Sequence, residues 1–244
     1  MGAITAKGLV LRETRVGEAD KILTVLLKEY GKLSVSAKGA RKTNSKFLSA
    51  AQLFCYADFV IYAGKGFYSL ASAQPIENFY GMAADYERLR VGAYVAELAD
   101  RTLMENLNCD AILYFLLVTL KNIEKGALAP EIIRGVFELK FLQLCGYSPE
   151  VGVCSECGGE LIREARIGEY GALCVNCAGG GPRPALKISG GCLRAMRYIL
   201  DQQANKIFSF SVDEKTGSEL ISAAGFLLRA HTDVRTRSGG IGPE

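Results

Sequence analysis

Hydrophobic and polar positions alternate with a period of two over the first 78 residues of the chain. Leu33, Val35 and Ala37 interleave with Ser34, Ser36 and Lys38, the pattern of a strand with one face buried. Five segments suit strands on this basis: 4–15, 21–28, 32–38, 52–63 and 66–75. Ile22 to Leu27 is apolar on both faces apart from Thr24, which marks a central strand. Tyr30-Gly31-Lys32 and Gly64-Lys65-Gly66 supply hairpin turns. Segment 52–63 places Phe54, Tyr56 and Tyr62 on one face, opposite Leu53, Cys55, Ala57, Phe59 and Ile61. Five short strands with a longer connection after the third predict a small closed barrel of the OB type.

From about residue 80 the period lengthens to that of a helix. Segments 86–106, 111–125 and 130–144 are helix candidates, the last with Pro130 in its first turn and a stripe of Ile133, Phe137, Phe141 and Leu144. Gly146-Tyr147-Ser148-Pro149 ends this run. Helices resume at 189–203, striped by Leu193, Met196, Ile199 and Leu200. A last one spans 213–232, striped by Leu220, Ile221, Ala224, Leu227 and Leu228. Gly179 to Pro184 reads as a linker, and the Gly-rich tail from Ser238 as frayed.

Between the two helical runs lies the chemistry. Cys154-Ser155-Glu156-Cys157 is followed after sixteen residues by Cys174-Val175-Asn176-Cys177. This is the spacing of a four-thiolate zinc site, because two residues between cysteines let one tight turn aim both sulfurs at one ion. Four thiolates leave no coordination position for water or substrate, so one structural Zn2+ is expected at Cys154, Cys157, Cys174 and Cys177. Disulfides and a redox dithiol are the rival readings. Cys55, Cys109, Cys145 and Cys192 sit singly among apolar residues, as small core hydrophobes do. The expected fold is multi-domain α+β. Residues 1–79 form the OB-fold barrel, 80–150 with 186–244 a helical domain, and 151–185 an inserted zinc module.

The net charge of +3 is unevenly spread. Residues 1–70 hold eleven Lys/Arg against five Asp/Glu, +6; the rest hold 18 against 21, −3. A basic N-terminal third points to a polyanionic partner or to a solvated lysine-rich surface. The loop 38–47 carries Lys38, Arg41, Lys42 and Lys46 with small polar residues, Phe47 and no anion, a composition suited to phosphates. Lys32 and Arg12 complete the candidate nucleic-acid contacts, and Phe54, Tyr56 and Tyr62 either stack on bases or cover a neighbouring domain. The N-terminus is too interrupted by charge for a signal peptide, and no uncharged apolar run reaches about 18 residues. A cytoplasmic protein is expected. No P-loop, GxGxxG fingerprint or Ser-centred elbow is present, and the one histidine, His231, ends an apolar stripe where packing or capping is its expected role. An enzyme is not expected. A DNA-binding mediator and a zinc-ribbon or OB-type RNA-binding or transcription-associated factor both fit these residues.

Four runs in order decide between them. Gly8-Leu9-Val10-Leu11-Arg12, Gly17-Glu18-Ala19-Asp20-Lys21-Ile22-Leu23-Thr24, Glu29-Tyr30-Gly31-Lys32-Leu33 and Lys38-Gly39-Ala40-Arg41 resemble the RecO family of bacterial DNA repair and recombination mediators. Cys145-Gly146-Tyr147, Pro149 and the double CxxC resemble its zinc-bearing branch, and the resemblance runs from about residue 4 to 232. It implies an OB-fold, a helical domain and a zinc finger. It also implies binding of single- and double-stranded DNA and annealing of complementary strands. The implied partners are RecR, the acidic C-terminal tail of the single-strand-binding protein SSB and, indirectly, the RecA recombinase. The family's basic motif falls on Lys38, Arg41, Lys42 and Lys46, where Thr43-Asn44-Ser45 dilutes a cluster that is often denser.

Overall fold

The computed structural model describes residues 2–64, 66–179, 185–232, 234 and 236. Apart from Gly179, the expected linker at 179–184 lies outside these, as does the tail from Ser238. The described residues form two compact units, one of 2–124 together with 236 and one within 125–234. This division falls between the second and third long helices, inside the stretch the sequence pattern assigned to one helical domain.

In the first unit five strands close a barrel in the order β1-β2-β3-β5-β4. They are β1 (Ala3–Val16), β2 (Asp20–Leu27), β3 (Gly31–Ala37), β4 (Tyr56–Ala63) and β5 (Tyr68–Glu77). All pairs are antiparallel except β3–β5, where Val35 meets Tyr68 and Ser36 meets Ser69. The alternation read from sequence sets the inside: Leu23, Val25, Leu33, Val35, Ala57, Phe59 and Ile61 are buried in one cluster. Residues 38–55 run as consecutive turns that plug one barrel end with Ala40, Phe47, Ala50 and Ala51, all part of that same core. Phe47 is thus 6 % exposed and structural.

Strand β4 begins at Tyr56, not at residue 52, because Phe54 takes a left-handed φ of 68° that breaks the pleat. Phe54 is 5 % exposed, with its ring against Gly92. It therefore does not share a face with Tyr56 and Tyr62.

After a 3-10 turn at Tyr80–Ala84, helix α1 (Tyr86–Thr102) starts at Asp85, whose carboxylate accepts from the Glu87 and Arg88 amides. Helix α1 stops at Thr102, short of the expected 106, because the next segment pairs with the barrel: Asn106 N–H donates to the Lys32 carbonyl at 3.2 Å. Gly31 makes this approach feasible. Its φ is +72°, and a Cβ there would stand 1.9 Å from the Leu107 carbonyl oxygen. Helix α2 (Asp110–Lys125) follows.

In the second unit α3 (Pro130–Leu144) packs on α6 (Glu214–His231), with α5 (Gly190–Asp201) beside both. Strands β6 (Glu164–Gly168), β7 (Gly171–Leu173) and β8 (Leu186–Ser189) form a small sheet ordered β7-β6-β8, and α4 (Val175–Ala178) is a single turn. No strand was expected here, since three to five residues are too few for a period of two to register.

Candidate nucleic-acid interface and metal centre

The basic loop is fastened at its base and open at its tip. The Gly39 amide donates to Asp20 Oδ1 at 2.7 Å, and the Arg41 amide to the Ala19 carbonyl at 2.9 Å. These bonds tie the loop to the β1–β2 turn. Lys38, Arg41, Lys42 and Lys46 are all exposed. Arg41 Nη1 donates to the Gly17 carbonyl at 2.9 Å, and Lys46 Nζ to the Ala71 carbonyl at 2.8 Å while lying over the Phe47 ring. Both keep donors to spare, and among the described residues no carboxylate pairs with any of the four. Arg15, exposed on β1 beside the same turn, joins them.

Lys32 and Arg12 are placed differently. Lys32 is only 11 % exposed at its side chain, and its Nζ meets both the Asp100 carbonyl and, at 3.6 Å, Asp100 Oδ1. Arg12 Nε pairs with Asp100 Oδ2 at 2.8 Å, and its Nη2 donates to Thr24 Oγ1. Their charge is met by α1. Lys32 ties barrel to helix and does not face outward; Arg12 keeps an exposed side. Asp100 lies 68 residues from Lys32, so sequence spacing carried no signal of this pairing.

The four cysteines of the double CxxC converge. All four Sγ atoms lie within 4.8 Å of one another, and Cys157 and Cys174 Sγ are 3.9 Å apart. Sulfurs held at about 2.3 Å from one tetrahedral ion would be about 3.8 Å apart. The first knuckle is a turn in which Gly158, at φ +72°, returns its amide to the Cys154 carbonyl at 2.8 Å. The second knuckle caps α4: the Cys177 amide donates to Cys174 Sγ at 3.4 Å, and the Cys174 amide to Cys154 Sγ at 3.3 Å. Burial works to raise the Cys154 thiol, but the backbone N–H groups of Cys157, Cys174 and Glu156 outweigh it and bring it from 9.0 down to about 6. Cys177 moves up, chiefly because its proton is shared with Cys174 and Cys157. The donor set is soft and convergent, and could hold one metal ion. By contrast, burial drives the Cys55 thiol up to about 11 and that of Cys192 to about 12, as inert core thiols.

The sequence matches the family description "Recombination protein O N terminal" over residues 1–79 and "Recombination protein O C terminal" over residues 83–239. The DNA repair protein RecO of Acetivibrio thermocellus is 35 % identical over 222 residues, which is 90 % of this chain and 88 % of that one. That of Alkaliphilus metalliredigens is 30 % identical over 232 residues, 94 % of each. The chain belongs to the RecO family.

Family membership supports a role in DNA repair and recombination, and puts the basic loop on the RecO N-terminal barrel and the four cysteines in the RecO C-terminal region. Two features of that region left no motif. Arg197 of α5 donates Nε to the Val151 carbonyl at 3.0 Å and Nη2 to the carbonyls of Gly152 and Leu161, clamping both strands of chain that lead into and out of the first knuckle. His231 donates to the Glu169 carbonyl at 2.7 Å and stacks on Tyr147 at 5.0 Å. No helix among the described residues is long and apolar enough to cross a membrane.

Proposed function

We propose that this chain is a non-enzymatic recombination mediator of DNA repair, acting in the bacterial cytoplasm. It binds single- and double-stranded DNA, anneals complementary strands and, with RecR, helps load RecA onto DNA coated by SSB, whose C-terminal tail it engages. The observation that carries the DNA-binding part is the loop 38–46: four exposed cations that no carboxylate among the described residues pairs, on an OB-type barrel, with the loop fastened to the β1–β2 turn. Cations that neutralise phosphate lower the repulsion between two strands, and contacts confined to phosphate leave the bases free to pair. RecR, SSB and RecA enter through the family to which the chain belongs.

The four-cysteine cluster is read as a structural zinc site at Cys154, Cys157, Cys174 and Cys177. Bound zinc would supply folding energy to residues 151–179 and no reactive position, since all four donors are protein thiolates. Metal analysis of the purified protein should return one zinc per chain, and Cys154→Ser should lose it and loosen that segment. Full zinc occupancy and unchanged stability in that variant would end the assignment.

The functional test is fluorescence-monitored annealing of complementary DNA strands at about 50 and about 200 mM salt, a range over which phosphate contacts are strongly screened. Rapid annealing without ATP that fades at the higher salt is the expected result. No acceleration at low salt, or a clear preference for matched RNA strands, would overturn the reading.

A further inference from the structure

The closed register of the barrel places one ring where neither the core nor a helix covers it. Across the strands Ala3 meets Tyr62, Tyr62 meets Ser69, Ser69 meets Ser36, Ser36 meets Ile22, and Ile22 meets Thr14. Their neighbours Ile61, Leu70, Val35 and Leu23 point into the core, so this row lies on the outer face. Tyr62 is 54 % exposed, and its cross-strand neighbours Ala3 and Ser69 are too small to roof its ring. Further along the same face Arg12 and Lys32 are held by Asp100, so helix α1 closes the trough at that end. The other end is cationic. Lys38 lies two residues beyond Ser36, in the turn that follows β3, and Lys46 is bonded to Ala71, two residues beyond Ser69. The acid on this stretch of β4, Asp58, stands cross-strand from Lys7.

We infer that Tyr62 is a base-stacking platform that makes this face favour single-stranded over duplex DNA. Two strand spacings separate Tyr62 from Ser36, roughly 10 Å, and Lys38 follows Ser36 by two residues. A single strand can lay an unpaired base on the ring while its phosphates reach Lys38 and Lys46. In a duplex the base faces are stacked on one another, so the ring gains nothing and only the cations of the loop contribute. Of the three aromatic residues that share a strand parity, Phe54 is core and Tyr56 is half-buried, which leaves Tyr62 for this role.

This inference rests on the DNA-binding reading above, and the experiment separates the two. Fluorescence anisotropy at low salt compares a thymine oligonucleotide with a hairpin duplex for wild type, Tyr62→Ala, Tyr62→Phe and Tyr62→Trp. The side chain is exposed, so all four should fold alike. Tyr62→Ala should bind the single strand about 5-fold to about 150-fold more weakly, the loss of one stacked base, with duplex affinity unchanged. Tyr62→Phe should bind as wild type does. The chain has no tryptophan, so Tyr62→Trp installs a single reporter whose emission should be quenched by the single strand and not by the duplex. Unchanged single-strand affinity in Tyr62→Ala, equal losses for both forms, or an unquenched Tyr62→Trp would overturn the inference while leaving DNA binding standing. A wild type that binds neither form would overturn both.

Discussion

Removing the Arg197 guanidinium should release the four-cysteine segment from the helices that carry it. Arg197 reaches three carbonyls, those of Val151, Gly152 and Leu161, which belong to the two chain segments flanking the first knuckle. A hydrogen bond from a charged donor contributes about 1.5–3 kcal/mol when its partner stays buried. The three share one half-buried side chain and water can replace part of each, so Arg197→Ala should cost about 3–5 kcal/mol of the second unit's stability. At a urea dependence of about 1.5 kcal/mol/M, that moves the midpoint down by about 2–3 M. Arg197→Lys is the sharper probe. It keeps the charge, but a single ammonium cannot span three carbonyls, so most of the destabilisation should remain. The assay is urea unfolding followed by tyrosine fluorescence, with amide exchange of residues 151–161 and metal release to a chelator. Exchange there should accelerate and release should quicken in both variants. If Arg197→Ala unfolds and releases metal as wild type does, the clamp contributes nothing and the reasoning fails.

Other expectations follow from the same geometry. Arg41→Ala with Lys42→Ala should weaken DNA binding across all sequences and flatten the log–log salt slope by about 0.9 for each phosphate no longer neutralised; an unchanged slope would take the loop off the phosphate path. Lys32→Ala should leave that slope alone and instead destabilise the first unit, since it strips a partner from Asp100, whose side chain is nearly buried; Arg12 remains to compensate, so the thermal midpoint should fall by a few degrees. Asp213 caps α6 through the Thr216 amide and hydroxyl, which hold its carboxyl below the usual 3.8. Its contribution is complete above the ordinary carboxylate range and is lost as pH falls through the lowered value. Asp213→Ala should therefore melt earlier than wild type at pH 7, and the two curves should converge in strong acid.

Much of this protein is local, and what is local was legible in the sequence. Strand alternation at Leu33, Val35 and Ala37 and the apolar stripe of α3 each follow from the periodicity of one element, which neighbours in sequence define. The double CxxC is likewise a short-range geometry, and its two knuckles needed only a sixteen-residue closure to meet. The run of cations at 38–46 was visible as composition, and all four side chains are exposed. What the sequence withheld depends on partners far along the chain. Lys32 and Arg12 look like their neighbours in the loop until Asp100 arrives from α1 and takes their charge. Phe54 has the parity of Tyr62, yet a left-handed backbone and the packing of α1 turn it inward, so one aromatic residue is core and the other faces water. The parallel β3–β5 contact that closes the barrel, and so builds the row on which Tyr62 stands, joins residues more than thirty apart. Periodicity determined which residues form strands and helices; only barrel closure and helix docking decided which of their side chains remain exposed, because burial of a charge or a ring is set by whatever packs against it.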